Sequence, residues 1–138
     1  MNKDLIVYAS SRDSLNYFPD NSSNNFRIQL PEEIDTNQLT SCVLVEFQHP
    51  KTRAEQLIVY LDVCSHSIIS GKKAAVLRKI SNKLPNSFIF PEKLHIPTKP
   101  GRYNSLHFYI VDEYNNLVSF ESGSVLCTLQ FKNEVATI

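Results

Sequence analysis

The sequence predicts an all-β protein, and three observations lead to that prediction. Short runs of β-branched and aromatic residues are separated by clusters of Asn, Ser, Pro and Asp. No segment shows a helical period with capping residues at both ends. Within the runs, apolar residues alternate with polar ones, which indicates strands with one buried face and therefore sheets that pack face to face.

The first half of the chain contains four of the predicted strands: Leu5–Ala9, Phe26–Leu30, Ser41–Gln48 and Leu57–Cys64. The first is a short apolar run. The second alternates and is expected to end at Pro31, because proline cannot donate to a ladder. The third ends at His49-Pro50, with Val43, Val45 and Phe47 predicted on one face. The fourth places Leu57, Val59, Leu61 and Val63 inward, opposite Tyr60 and Asp62.

The second half contains the other four predicted strands: Ala74–Ile80, Ser87–Phe90, Ser105–Tyr114 and Ser124–Lys132. A turn at Ser70-Gly71-Lys72-Lys73 precedes the fifth strand, and Pro91 ends the sixth. Asn115-Asn116 suits the turn after the seventh, since asparagine tolerates positive φ. The eighth places Val125, Cys127, Leu129 and Phe131 inward.

Eight strands in fewer than 140 residues favour one antiparallel jelly-roll sandwich spanning residues 1–138. The seven-stranded immunoglobulin sandwich is the structural alternative. It lacks support because the chain has no tryptophan and requires no cysteine pair between sheets. The alternation predicts a single core, made of Phe26, Val45, Val59, Leu61, Phe108, Ile110, Leu129 and Phe131.

Composition excludes several classes of function. The 14 basic and 14 acidic residues give zero net charge, so we expect neither direct contact with nucleic acid nor a polybasic membrane contact. The N-terminal apolar run is too short for a signal peptide, and no run is long enough to span a membrane. We therefore expect synthesis in the cytosol, where Cys42, Cys64 and Cys127 stay reduced.

The sequence predicts no enzyme, cofactor, metal site or small-molecule substrate. It has no nucleophile elbow, phosphate loop or zinc-protease motif. Cys64-x-His66 alone resembles a metal-binding pair, and it lacks evident further ligands. The paired carboxylates Glu32-Glu33 and Asp112-Glu113 are expected at strand ends in polar turns, and consecutive strand residues face opposite ways.

Other chemically active side chains have simpler interpretations. Cys127 alternates with core residues and is expected to be a buried hydrophobe, and His107 is expected to face solvent. A jelly-roll metalloenzyme would need histidines on neighbouring strands, whereas His49, His66, His95 and His107 lie one per segment. The cluster Lys72, Lys73, Arg78 and Lys79 either contacts an acidic partner or protects a sheet edge.

Several phrases of the sequence together resemble one family. Tyr17-Phe18-Pro19-Asp20-Asn21, followed by Asn25-Phe26-Arg27-Ile28-Gln29-Leu30, resembles the opening Y-P-x-N-x-x-x-x-F-x-x-x-L of small jelly-roll capsid proteins. Those proteins are encoded by Maverick/Polinton elements and adintovirus-like DNA viruses, which are relatives of adenoviruses. Further similar phrases are Val43–Phe47, Val59–Val63, Val76–Ile80, Phe108–Asp112, Val118–Phe120 and Thr128–Phe131.

The resemblance implies a virion protein, either a penton-like or minor capsid component or a module that decorates the shell. Its partners would be further copies of itself and other capsid proteins. The alternative is a virus attachment or cell-interaction module of the ligand-like or lectin-like kind.

Two long connections, Ser10–Asn25 and Pro91–Asn104, are the predicted contact loops. The candidate interface in the first consists of Leu15, Tyr17, Phe18 and Pro19, because a solvated loop has no need of adjacent aromatics. The alternative, which the sequence leaves equally open, is that Tyr17 and Phe18 pack the loop against the end of its own sandwich.

Overall fold

The structure is a computed structural model that describes residues 4–83 and 86–133. Within those ranges it contains strands and no helix. The strands are β1 (Leu5–Ser10), β2 (Asn25–Asp35), β3 (Ser41–Gln48), β4 (Gln56–Leu61), β5 (Ser67–Ile69), β6 (Lys72–Ala74), β7 (Val76–Ser81), β8 (Ser87–Ile89), β9 (Ile96–Pro97), β10 (Arg102–Val111) and β11 (Leu126–Lys132).

The strands form two main antiparallel sheets and a small hairpin. One sheet has the order β1-β11-β3-β8, with β9 also paired to β3, and the other has the order β2-β10-β4-β7. The hairpin joins β5 to β6. The all-β, antiparallel class is therefore confirmed. The predicted number of strands is wrong, because the described residues form eleven strands and not eight.

The core lies between the two main sheets. One buried cluster contains residues from both, and it includes seven of the eight predicted core residues: Phe26, Val59, Leu61, Phe108, Ile110, Leu129 and Phe131. Burying such side chains is the main favourable term in folding, at about 1.5–3 kcal/mol for each large one. The same cluster takes in Cys127 and Cys64, which behave as small buried hydrophobes.

Val45 is the exception, and a β-bulge explains it. Along β3, Leu44 is paired with Leu129 and Glu46 with Thr128, so Val45 is one residue too many. Such an extra residue reverses the inward and outward faces of the strand. Cys42 and Leu44 point into the core before the bulge and Phe47 after it, while Val45 is only half-buried.

β2 continues through Pro31, where the sequence predicted its end. The strand lies at the edge of its sheet, so Pro31 interrupts no second ladder. Its pairing with β10 breaks between Gln29, opposite Ser105, and Ile34, opposite Tyr103. The intervening residues therefore bulge from an edge that has no further strand in the described ranges.

The β5–β6 hairpin was not predicted as a pair of strands. Ser70 and Gly71 both have positive φ (49° and 75°) and form its two-residue turn, which suits the twist of a hairpin. Ile69 and Ala74 pack on a second apolar cluster, formed by Ile58, Tyr60, Val76 and Val111 on the outer face of the four-stranded sheet. Tyr60, predicted to point outward, does so and is buried there.

Loops from both sheets meet at one end of the sandwich. Ser11 N donates to Val125 O over 2.9 Å, and Glu121 N donates to Lys51 O over 2.8 Å. The turn predicted at Asn115-Asn116 is also here, with Asn115 at a φ of 65°. We call this the loop end. It gathers the connections β1–β2, β3–β4 and β10–β11, and Asn82 and Asn86 of the β7–β8 connection bond to the β3–β4 connection there.

Candidate assembly surface

The β1–β2 loop, residues 11–24, is held to the sandwich by its small polar side chains. The Oγ of Ser14 accepts from Gln29 N over 2.9 Å, and the Oγ of Ser11 accepts from Val125 N over 3.0 Å. Asn21 bonds both backbone groups of Arg27: its Nδ2 donates to the carbonyl over 2.7 Å, and its Oδ1 accepts from the amide over 2.9 Å. These bonds fix the loop against β2 and against Val125, the residue before β11, without using its apolar side chains.

The four predicted interface residues lie on the outside of that loop. Leu15 is 42% exposed and Tyr17 69% exposed, Pro19 is exposed and Phe18 is half-buried. The rings of Tyr17 and Phe18 are 6.4 Å apart. None of the four belongs to the core between the sheets. Apolar side chains in this position remain available to a partner.

A shallow cleft of about 310 Å³ opens beside Tyr17, Phe18 and Pro19. Its floor is formed by Asn25, Arg27 and His107 on the outer face of β2 and β10, the residues that sequence reasoning did not group with the loop. The guanidinium of Arg27 lies 5.9 Å from the ring centre of Phe18, a cation–π contact. The cross-strand pairing of Arg27 with His107 brings the floor together.

His107 is less solvated than its place in the sequence suggested. Its Nε2 is 2.6 Å from the Oδ1 of Asn25, and its backbone N–H donates to the Oδ1 of Asp62 over 3.0 Å. Desolvation lowers the pKa of the imidazole, the Arg27 charge lowers it further, and Asp62 opposes both. A neutral imidazole beside a guanidinium gives the cleft a mixed aromatic and hydrogen-bonding surface.

The second predicted loop, Pro91–Asn104, lies at the opposite end of the sandwich. It is shorter than predicted, because β10 begins at Arg102 and β9 lies within the loop. The hydroxyl of Thr98 donates to Leu39 O over 2.9 Å, and Thr36 donates its hydroxyl to Gly101 O over 3.0 Å. These bonds tie the segment to the turn between β2 and β3, so the two predicted loops cannot form one continuous surface.

The carboxylates of the loop end have structural partners. Glu113 accepts from Glu55 N over 2.9 Å and from Gln56 N over 3.0 Å. The Oδ1 of Asp112 accepts from Tyr114 N and Asn116 N over 2.8 and 3.0 Å. Asp112 thus closes its own turn, while Glu113 joins that turn to the β3–β4 connection.

Cys64 and His66, whose spacing resembles that of a metal-binding pair, differ in their exposure to solvent. β4 ends at Leu61, after which Cys64 is buried and His66 is exposed. The Cys42 thiol lies beside the Cys64 thiol, and that contact together with burial raises its pKa. Within residues 4–83 and 86–133, no group of three His, Cys, Asp or Glu side chains is close enough to share a metal ion.

The basic cluster is divided between an edge of the four-stranded sheet and the β5–β6 hairpin. Arg78 and Lys79 lie on β7, the last strand of that sheet, and the Arg78 guanidinium is 4.0 Å from the ring centre of Phe90. Lys72 and Lys73 are exposed on the β5–β6 hairpin. This placement matches the protection of an edge strand by charge.

Comparison with known proteins adds no relative: no family model and no curated protein matches the sequence. In the part of the chain that the structure describes, no helix has the length and apolarity needed to cross a bilayer.

Proposed function

We propose that this protein is a structural, self-assembling jelly roll whose contacts are made from the loop end. The strand order carries the proposal. If the eight strands in the linear order of the two main sheets are numbered along the chain, the first pairs with the eighth (β1–β11) and the second with the seventh (β2–β10). The third pairs with the sixth (β3–β8), and the fourth with the fifth (β4–β7). Such nested antiparallel pairs, split between two facing sheets, are the connectivity of a jelly roll.

The exposed apolar side chains of the β1–β2 loop support assembly as the purpose of this scaffold. Ser11, Ser14 and Asn21 already hold the loop, so its conformation does not depend on Leu15 or Tyr17. Exposing both side chains to water without a packing role has no stabilising effect on the monomer. A partner that covered them would gain the free energy of burying this surface.

The proposed setting is the shell of a DNA virus or virus-derived element, as a penton-like or minor capsid component. The sequence resemblance supports this setting, and so does zero net charge, which favours association between copies. Other capsid proteins would be the further partners. No catalytic step is proposed for the chain. Its proposed role is to present rigid loops to neighbouring subunits.

The experiment compares assembly by the parent chain and by two variants, measured by mass photometry and negative-stain electron microscopy. Leu15→Ser/Tyr17→Ser is expected to abolish assemblies larger than a dimer while the melting temperature stays within about 4 °C of the parent. Ile68→Ser is the matched control and is expected to assemble as the parent does, because Ile68 is 77% exposed on the β5–β6 hairpin, outside the connections that form the loop end. A fall of about 10 °C for the double variant would place its side chains in the core, and unchanged assembly would contradict the proposed surface.

The second candidate function is attachment to a cell-surface ligand, and the cleft beside Phe18 favours it. Arg27, Asn25 and His107 present hydrogen-bonding groups next to the ring of Tyr17, a combination that suits a small polar ligand such as a sugar. A glycan array separates the two candidates. Attachment predicts selective binding that Arg27→Gln abolishes, whereas assembly predicts no selective binding and oligomers that Arg27→Gln leaves intact.

A further inference from the structure

The outer edge of β1 lacks the features that protect the other sheet edges. β8 is only three residues long, β7 carries Arg78 and Lys79, and the edge strand β2 contains Pro31. Short length, charge and proline are the usual means by which proteins prevent strands from pairing between molecules. β1 is six residues long, has no charged residue or proline, and pairs with β11 without a bulge.

The direction of the free backbone groups follows from the β1–β11 register. Ser11 N donates to Val125 O and continues that register by one residue. In an antiparallel ladder the residues that face their partner alternate with those that face away. Leu5, Val7 and Ala9 therefore bond to β11, and the N–H and C=O groups of Ile6 and Tyr8 point to the open edge.

No strand within residues 4–83 and 86–133 pairs with that edge. At its Ser10 end the edge is closed, because Ser10 N donates to the Oδ2 of Asp13 over 2.8 Å and Ser10 O accepts from Asp13 N. A groove of about 760 Å³ runs beside it and is lined on the far side by residues 30–35. The side chains of Ile6 and Tyr8 are 44% and 77% exposed.

We propose that the open edge of β1 pairs antiparallel with β1 of a second copy of this chain, about a two-fold axis at Val7. In this register Ile6 of each copy lies opposite Tyr8 of the other, and their free N–H and C=O groups bond to each other. Each pair also places a β-branched side chain beside an aromatic ring, a favourable cross-strand combination. The same patch on both copies satisfies the symmetry of a closed dimer.

The charges around the groove disfavour an acidic occupant and are compatible with β1. The carboxylates that line the groove are those of Asp4, Glu32, Glu33 and Asp35. Glu33 forms an ion pair with Arg102 over 3.4 Å. These carboxylates would repel an acidic strand, whereas residues 5–10 carry no charge and a second β1 pairs without that penalty. This inference rests on the proposed assembly function in that it names a further contact between copies. It uses the side of the sandwich, whereas the proposed function uses the loop end.

Cysteine cross-linking tests the register. A cysteine can form a disulfide with the same residue of the second chain only where that residue lies on the two-fold axis. Directly opposed residues of an antiparallel pair are close enough for that bond. Under a mild thiol–disulfide oxidant such as glutathione disulfide, the Val7→Cys variant is expected to form a covalent dimer. The Ile6→Cys and Tyr8→Cys variants are expected to form little. The proposal would be overturned if Ile6→Cys or Tyr8→Cys formed a covalent dimer and Val7→Cys did not. It would also be overturned if none of the three variants formed one.

Proline tests the pairing of the backbone independently. Tyr8→Pro removes a donor that faces the open edge and leaves the bonds to β11 in place. It is expected to raise the dimer dissociation constant at least roughly tenfold. Tyr8→Thr, which keeps the N–H group and the strand preference, is the matched control. A parent chain that stays monomeric at the highest soluble concentration, or a Tyr8→Pro variant that dimerises as the parent does, would contradict the inference.

Failure of the proposed β1 contact can be distinguished from failure of the proposed assembly surface at the loop end. When Leu15→Ser/Tyr17→Ser is added to the Val7→Cys variant, it is expected to abolish larger assemblies and to preserve the covalent dimer. Absence of the covalent dimer in a Val7→Cys chain that still forms larger assemblies would remove the β1 contact and leave the proposed function standing.

Discussion

Phe26 on β2 and Phe108 on β10 lie directly opposite each other and stack, with ring centres 5.0 Å apart and planes 16° apart. Both rings are buried and belong to the core cluster between the two sheets. A shift of one residue between β2 and β10 would separate this pair and move one ring to the outer face.

Phe108→Ala is expected to lower the free energy of unfolding by about 3–5 kcal/mol, because it removes buried ring atoms and leaves a cavity against Phe26. Urea unfolding followed by circular dichroism measures the loss. Tyr114→Ala, which removes an exposed ring, is the control and should cost less than about 0.5 kcal/mol. A loss below about 1 kcal/mol for Phe108→Ala would show that this part of the core is loosely packed.

Gly123 is expected to tolerate no side chain. Its φ is +143°, which side chains disfavour, and a Cβ there would lie 3.0 Å from Cγ of Pro50. We expect Gly123→Ala to cost at least about 2 kcal/mol, from backbone strain and contact together. Gly101→Ala is the comparison: it has a similar φ of +155°, but its Cβ would make only an ordinary contact, 3.6 Å from the Tyr103 ring, so backbone strain alone and a smaller loss than at Gly123 are expected. Equal losses at the two sites would remove the role assigned to Pro50.

Stability is expected to fall as the pH decreases from about 7.5 to 5.5. Burial lowers the pKa of His49 below its ordinary 6.5, against an opposing bond to Pro50 O, and its ring lies among Phe47 and Phe120. The unfolded chain therefore binds a proton in a range where the folded chain does not, and the stabilisation present above the unfolded pKa is lost below it.

Urea midpoints measured across this range test the effect. His49→Gln is expected to flatten the acid side of the profile, and the remaining slope reports His107, whose pKa is lowered in the same direction. Above about pH 7.5 the profiles of parent and variant should run parallel. A variant that keeps the full acid slope would contradict the assignment to His49.

Alternation within each strand was enough to predict the all-β class and most of the core, because burial of one face requires it. It placed Val45 in the core wrongly, since a bulge depends on how β3 pairs with β11 and not on β3 itself. The end predicted at Pro31 failed for a related reason: proline is tolerated where a strand has no second neighbour, and edge position is a property of the sheet.

The candidate site, like the fold, could be predicted from the sequence only in part. Leu15, Tyr17, Phe18 and Pro19 could be selected from the sequence because adjacent aromatics stand out in a polar loop. Arg27 and His107 could not, since only the cross-strand pairing brings them under that loop. Their contact is long-range, and no local pattern indicates it.

Sedimentation velocity of the parent beside Leu15→Ser/Tyr17→Ser tests most directly whether the chain assembles through the loop end. Across a concentration series, the parent is expected to form a defined oligomer that grows at the expense of smaller species, and the variant is expected to form no such oligomer at equal thermal stability. A parent that sediments as a monomer at every concentration, or a variant that assembles as the parent does, would contradict assembly through the loop end.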